Sequence, residues 1–343
     1  MNSFERMQAA RMGEKPDRIP FLPTILEHAA AVIGVSPSAA ARDAELMAQA
    51  HVQAWRCYGH DAVTVGIDVY NTEAEALGCE VRFYDDTSIP GIISRPAAGM
   101  EPEECIGALD RAADGALEKG RLSLLLRAAS QVKREIGGEV PVGIGVSGPF
   151  SVCCEWMGFE DFILCCIGEP EAAEALLHRA SAFLMDWCGA IVRAGLGVTV
   201  FESWAAPPLL TPALYRRFAA PWEKLVINCV CGAGGKAPTL VIGGNTAALL
   251  EDILSTGTGM AIADYNADLP LYVEAARRRK LLLRGNIDPK LVAAGPVPAI
   301  LEKADHVIRL ADGYPGFVLG TGVLPYDTPA EHVLALREHC AAQ

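Results

Sequence analysis

Positive charge is scarce in this sequence: Lys and Arg number 29 against 42 Asp and Glu, leaving a net charge of -13. That balance argues against nucleic acid or an anionic membrane as the main partner, because both need clustered cations. No apolar run reaches the ~18 residues that cross a bilayer. The opening Met1-Asn-Ser-Phe-Glu-Arg-Met7 has no apolar signal core, so a cytoplasmic protein is expected. Cysteine is not lacking, but metal-binding spacing is. None of the 11 cysteines forms C-x-x-C, and Cys153-Cys154 and Cys165-Cys166 are adjacent pairs in apolar surroundings. Buried reduced thiols, acting as small hydrophobes, are expected rather than a disulfide framework. Cys229-Val-Cys231 lies late in a helical pattern with no histidine nearby, which weakens a soft-metal reading.

What is present is a large apolar share, 51% over 343 residues, enough to bury a sizeable core. It is arranged as a repeated unit. Leu240-Val-Ile-Gly-Gly-Asn-Thr246 is a short buried strand that breaks at two glycines into a polar pair and then a helical pattern. Comparable units end at Asp264, Asp288 and Gly322. Eight strands are predicted near 19–24, 61–67, 140–146, 197–202, 238–243, 259–264, 281–286 and 316–321. Ser36, Thr211, Asp288 and Thr328 each precede a proline and are expected to cap a helix. Strands alternating with helices point to parallel βαβ units, and eight of them to a closed (β/α)8 barrel in one α/β domain spanning 1–343. An open doubly wound sheet is the runner-up, weakened because no G-x-G-x-x-G follows the first strand. Residues 79–116 interrupt the alternation. They read as an insertion after strand 2, long enough to act as a lid over the mouth.

A barrel of this kind carries its chemistry at the carboxyl ends of the strands. That rim would collect Glu27, His28, Asp68, Tyr70, Glu155, Glu202, Asn245, Asp264, Tyr265, Asn286, Asp288, Thr321 and Tyr326, with Arg284 the one cation clearly inside a strand. Asp68, Glu202 and Asp264 end strongly apolar strands, where an unpaired carboxylate is costly, so they are the candidate catalytic groups. His28, Tyr70, Glu155, Asn245, Tyr265, Asn286, Thr321 and Tyr326 are candidate substrate-binding residues. Asp288 before Pro289 reads first as a helix cap, and His28 has a structural reading beside the functional one.

Six stretches in order resemble the uroporphyrinogen decarboxylase superfamily: Arg11-Met-Gly-Glu-Lys-Pro-Asp-Arg-Ile-Pro20, Gly66-Ile-Asp68 with Glu75-Ala-Leu-Gly78, Ser147-Gly-Pro-Phe150, Gly243-Gly-Asn-Thr246, Arg284-Gly-Asn-Ile-Asp288, and Gly320-Thr-Gly322 with Thr328-Pro329. The resemblance implies a (β/α)8 barrel and one of two activities: decarboxylation of uroporphyrinogen, or methyl transfer to or from the corrinoid (cobalamin) of a small partner protein. The decarboxylase branch needs arginines for an octa-anionic substrate. Here the first loop reads Phe21-Leu-Pro-Thr-Ile-Leu-Glu-His28, and Glu155 and Thr321 stand where that branch has tyrosine and histidine, although Asp68 matches its aspartate. Thiol-methylating members hold zinc through positions that are Val241, Gly243 and Gly322 here, so no thiolate zinc site is expected. Zinc on carboxylates with His28 stays open.

The methyltransferase branch is therefore expected, of the O-demethylating kind. The methyl donor would be a small methoxylated compound, aromatic ones among the candidates, or another methylated compound. A carboxyl group kept protonated in an apolar mouth would protonate the leaving oxygen, with Glu202 the first candidate and then Asp68 and Asp264. The alternatives are a divergent decarboxylase-like lyase and a non-catalytic ligand-binding barrel. A homodimer is left open.

Overall fold

The computed structural model describes residues 1–343 and contains ten strands. They are β1 Phe21–Thr24, β2 Val63–Val65, β3 Glu80–Arg82, β4 Gly91–Ser94, β5 Val142–Ser147, β6 Gly197–Phe201, β7 Thr239–Val241, β8 Met260–Ala263, β9 Leu282–Ile287 and β10 Phe317–Val323. All the strands except β3 and β4 run parallel, in two four-stranded ladders ordered β1-β10-β9-β8 and β2-β5-β6-β7. Backbone hydrogen bonds bridge both gaps between the ladders. Asp61 N donates to Phe21 O at 2.9 Å between β1 and β2, and Gly259 N donates to Pro238 O at 2.8 Å between β7 and β8. The eight parallel strands thus follow one another around a (β/α)8 barrel, with the helices packed outside in two hydrophobic clusters.

Local chemistry explains the element ends. Asp43 accepts from Glu45 N and Leu46 N to start the helix Ala44–Tyr58, and Gly59 ends it in the left-handed conformation at φ 57°. Ser36, Thr211 and Asp288 cap as expected. Thr328 does not. Its hydroxyl donates to Pro325 O at 2.8 Å, closing the preceding turn, and the last helix begins one step later at Ala330. The helix that Thr211 caps, Pro212–Phe218, stops at Ala219, because Pro221 has no N–H to continue it, and a second helix runs Ala220–Gly232.

The barrel's amino-terminal end is closed by the helix Ser3–Met12. Asp61, fully buried, is the anchor: it accepts from Ser3 Oγ at 2.9 Å, Arg6 Nη1 at 2.6 Å, Arg18 Nη1 at 2.9 Å and Phe21 N at 2.8 Å. One carboxylate therefore ties the plugging helix to the β1–β2 gap. The insertion contains the antiparallel hairpin β3–β4 followed by the helix Pro102–Ala113. Nine of the 11 cysteines are buried or half-buried and all are free; Cys57 and Cys231 are exposed, against expectation, because they fall on the outer faces of their helices. No helix is long and apolar enough to cross a membrane.

Candidate active site

The three carboxylates expected to act together do not share one cavity. Glu202 follows β6, where the chain turns into a short 3-10 segment, and its side chain enters the helix layer. It is 0% exposed. The backbone N–H groups of Phe150 and Ser151 donate to its oxygens at 3.2 and 2.6 Å, so Glu202 caps the amino end of the helix Pro149–Met157. Gly148 is required there, since a Cβ would collide with the Glu202 carboxylate. Burial raises the Glu202 pKa to about 7 against the effect of those bonds. Its neighbour Glu223, which accepts from Tyr215 Oη at 2.6 Å, is raised further by burial and by Glu202. Glu202 thus caps the helix with both oxygens taken and neither presented to the mouth.

Asp68 does lie at the mouth but is not free. Arg121 grips it with two parallel bonds of 2.7 and 2.8 Å and also reaches Glu75 at 2.6 Å. The Arg121 guanidinium lies 5.1 Å from the centre of the Phe83 ring, and Arg42 lies 5.0 Å from the same ring. Asp68 is thereby connected to the insertion. A second tie runs from Arg95 in the insertion to Glu155 at 3.5 Å, and Glu155 also accepts from Trp204 Nε1 at 2.7 Å. Tyr70, two residues after Asp68, holds a φ of 75°, a strained conformation for a bulky residue, and its hydroxyl accepts from Ser203 N at 3.0 Å. Asp264 accepts from Gly244 N at 2.7 Å and from Asn286 Nδ2 at 3.3 Å, joining the ends of β7, β8 and β9.

The remaining rim residues divide. Glu27, at the first turn after β1, has no side-chain hydrogen bond and is only half-buried by exposure. Burial, with the charge of Asp68 adding to it, raises its pKa to about 7. Asn286 is buried and accepts from Arg284 Nε at 2.8 Å, so it stands between Arg284 and Asp264. His28 is 2% exposed, stacked on Tyr58, with Nε2 on the Tyr58 hydroxyl at 2.8 Å and Nδ1 on Tyr326 O at 3.2 Å. Burial lowers its pKa, and it is corrected to a neutral packing residue. Thr321 is buried between β10 and β1, donating to Gly322 O at 2.7 Å and accepting from Thr24 N at 3.3 Å. The Tyr326 hydroxyl donates to Val35 O at 3.1 Å. Neither presents its polar group to the mouth. Asn245 and Tyr265 are exposed at the rim, and Asn245 accepts from Ala247 N at 3.2 Å. Asp288 is the helix cap it first suggested.

Reasoning from strand ends overlooked Arg121 and placed Glu27 on the rim without giving it a role. Arg121 precedes a helix far along the chain, with nothing in its surroundings to mark Asp68 as its partner. Glu27 could have been ranked higher, being an acid followed directly by an apolar helix, His28-Ala-Ala-Ala-Val32. No group of three or more His, Cys, Asp or Glu comes together to hold a metal ion, and Val241, Gly243 and Gly322 offer no side-chain donor. The side chains of the mouth therefore do not fit zinc.

Comparison with known proteins agrees with this architecture. The uroporphyrinogen decarboxylase (URO-D) family matches residues 2–343. A methylcobamide:CoM methyltransferase, MtbA, of Methanosarcina mazei is 26% identical over 341 residues, covering 98% of this chain and 96% of that protein. A uroporphyrinogen decarboxylase of Vibrio cholerae is 26% identical over 304 residues, covering 85% of this chain and 81% of its own. The solved structure of a methyltransferase from Methanosarcina mazei superposes with a TM-score of 0.84 at 23% identity, over 100% of this chain and 99% of that one, and so shares the barrel fold.

Proposed function

This chain belongs to the uroporphyrinogen decarboxylase family, and on that premise we propose that it is a methyltransferase whose methyl acceptor is the cobalt of a corrinoid carried by a partner protein. The methylcobamide:CoM methyltransferases among its relatives support corrinoid chemistry. Their thiol substrate is not carried over, because Val241, Gly243 and Gly322 provide no donors with which to activate a thiolate. The methyl donor is a small methoxylated compound. Its methyl–oxygen bond breaks as the methyl group passes to cobalt, and the bonding pair stays on the oxygen.

That oxygen leaves as an alkoxide or a phenolate, the latter with a conjugate-acid pKa of ~10, so a proton delivered to it lowers the barrier. The observation that carries the assignment is Glu27: a half-buried carboxyl group at the mouth with no side-chain partner, whose pKa is raised to about 7 by burial and by the charge of Asp68 against a bond from its own backbone N–H. At neutral pH a large share of it is protonated, and the proton is not committed elsewhere. Asp68, gripped by two bonds from Arg121, adds its charge to the effect of burial on Glu27 and is a positioning residue. Arg95, Glu155 and the hairpin β3–β4 form the lid side of the pocket.

Incubating the protein with cob(I)alamin and a panel of methoxybenzoates, and following conversion to methylcobalamin by absorbance, tests this reading. Turnover with at least one donor, lost in Glu27→Gln, is expected. Absence of turnover with every donor, also with the cognate corrinoid protein present, together with CO2 release from a porphyrinogen, overturns it in favour of the decarboxylase branch.

A further inference from the structure

A cavity of about 220 Å³ occupies the barrel lumen below the mouth. Its lining contains Arg11, Lys236, Arg284, His51 and His60 but not one Asp or Glu. For a protein with 42 acidic residues that exclusion is selective. Arg284 lies where the lumen meets the mouth. Its Nε donates to Asn286, and its Nη2 donates to Thr24 Oγ1 and to the Thr321 carbonyl. No carboxylate forms an ion pair with it, and Nη1 has no partner in the protein. Gly320 makes the room, since a Cβ there would collide with Arg284 Nε. A buried guanidinium without a counter-charge is costly, and here burial lowers its pKa to about 10, only partly offset by Asp264. The protein keeps this cost inside a chamber that also holds an unpartnered buried nitrogen, Nδ1 of His60.

The rest of the wall is of two kinds. Thr64, Thr199 and Thr239 provide hydroxyls, and Leu22, Phe201 and Met260 provide apolar surface. A ligand matching this wall has one anionic end and an apolar body. A carboxylate oxygen can accept from the free Nη1 of Arg284, whereas for a larger polyanion a single cation is too few.

We propose that the lumen binds a small organic monocarboxylate, with its carboxylate on Arg284. The lumen wall lies on the amino-terminal side of Arg284, away from Glu27, so this acid is a ligand in addition to the methyl donor of the preceding subsection. The site does not require methyl transfer in order to be occupied, so binding and turnover are tested separately.

Titration calorimetry with benzoate, inorganic phosphate and benzyl alcohol decides the matter. Benzoate is expected to bind, and phosphate and the neutral alcohol to bind at least tenfold more weakly. Arg284→Met should weaken benzoate roughly tenfold or more, the size of one lost charge-assisted pair. Arg284→Lys, which keeps the charge but loses the bonds to Asn286 and Thr24 that place it, should fall between, and Thr199→Leu should obstruct the chamber while leaving Arg284 in place. Circular-dichroism melting identifies any variant that has failed to fold, and the others still report. No benzoate binding by the wild type, equal binding of benzyl alcohol, or unchanged affinity in folded Arg284→Met and Thr199→Leu overturns the proposal. Arg284-dependent binding without methyl transfer would leave this site standing and remove the methyltransferase reading instead.

Discussion

At the scale of single residues, two carboxyl groups share a pKa near 7 and have opposite uses. Glu202 is enclosed and accepts two backbone N–H groups from another element, whereas Glu27 has no side-chain partner at a half-exposed rim. Glu27→Gln should lower methyl transfer by about 10²- to 10⁴-fold, the usual worth of a positioned general acid, with little change in melting temperature. Glu202→Ala should instead lose about 2–3 kcal/mol of stability in denaturant titrations, since it leaves two buried N–H groups unpaired. Activity should fall as pH rises through about 7, where Glu27 loses its proton. Stability has the same sign: both groups are raised above their unfolded values, so the folded state holds extra protons that it loses on passing through pH 7. The lowered histidines His51, at about 4, and His60, at about 3, act in the opposite direction, but only at lower pH. Melting temperature measured from pH 6.5 to 8.5 should therefore decline, and decline less in Glu27→Gln.

At the scale of elements, the Asp68–Arg121 pair couples β2 to the insertion through Phe83. Arg121→Met strands a buried carboxylate and should cost about 3–5 kcal/mol by chemical denaturation, while Asp68→Asn combined with Arg121→Met should cost clearly less than the sum of the two single changes. The eight strands were legible in the sequence because each is a short apolar run stopped by glycine or a polar pair, and their order alone implied the barrel. Side-chain direction was not. Glu202 and Asp264 both end apolar strands, yet one turns into the helix layer and the other stays at the mouth. That difference depends on Gly148, which lies 54 residues before Glu202 and admits its carboxylate. His28 likewise looked like a rim histidine until Tyr58, from the end of the helix Ala44–Tyr58, closed over it. Partners such as Arg121 depend on chain segments that no local pattern connects.

At the scale of the whole molecule, charge is sorted by place. The mouth collects Glu27, Asp68, Glu155 and Asp264, while the lumen beneath contains cations and no carboxylate. Asp61 closes the opposite end by joining Arg6 and Arg18 to the β1–β2 gap, and Asp61→Ala should cost about 3 kcal/mol or more in a melting experiment by leaving both arginines without their buried partner. The most direct test of this account is the rate at which cob(I)alamin is converted to methylcobalamin with a methoxybenzoate donor, in wild type and Glu27→Gln, between pH 6 and 9. The account predicts a wild-type rate that declines above pH 7 and a Glu27→Gln rate that is low and flat. Equal rates and equal pH profiles for the two proteins would contradict it.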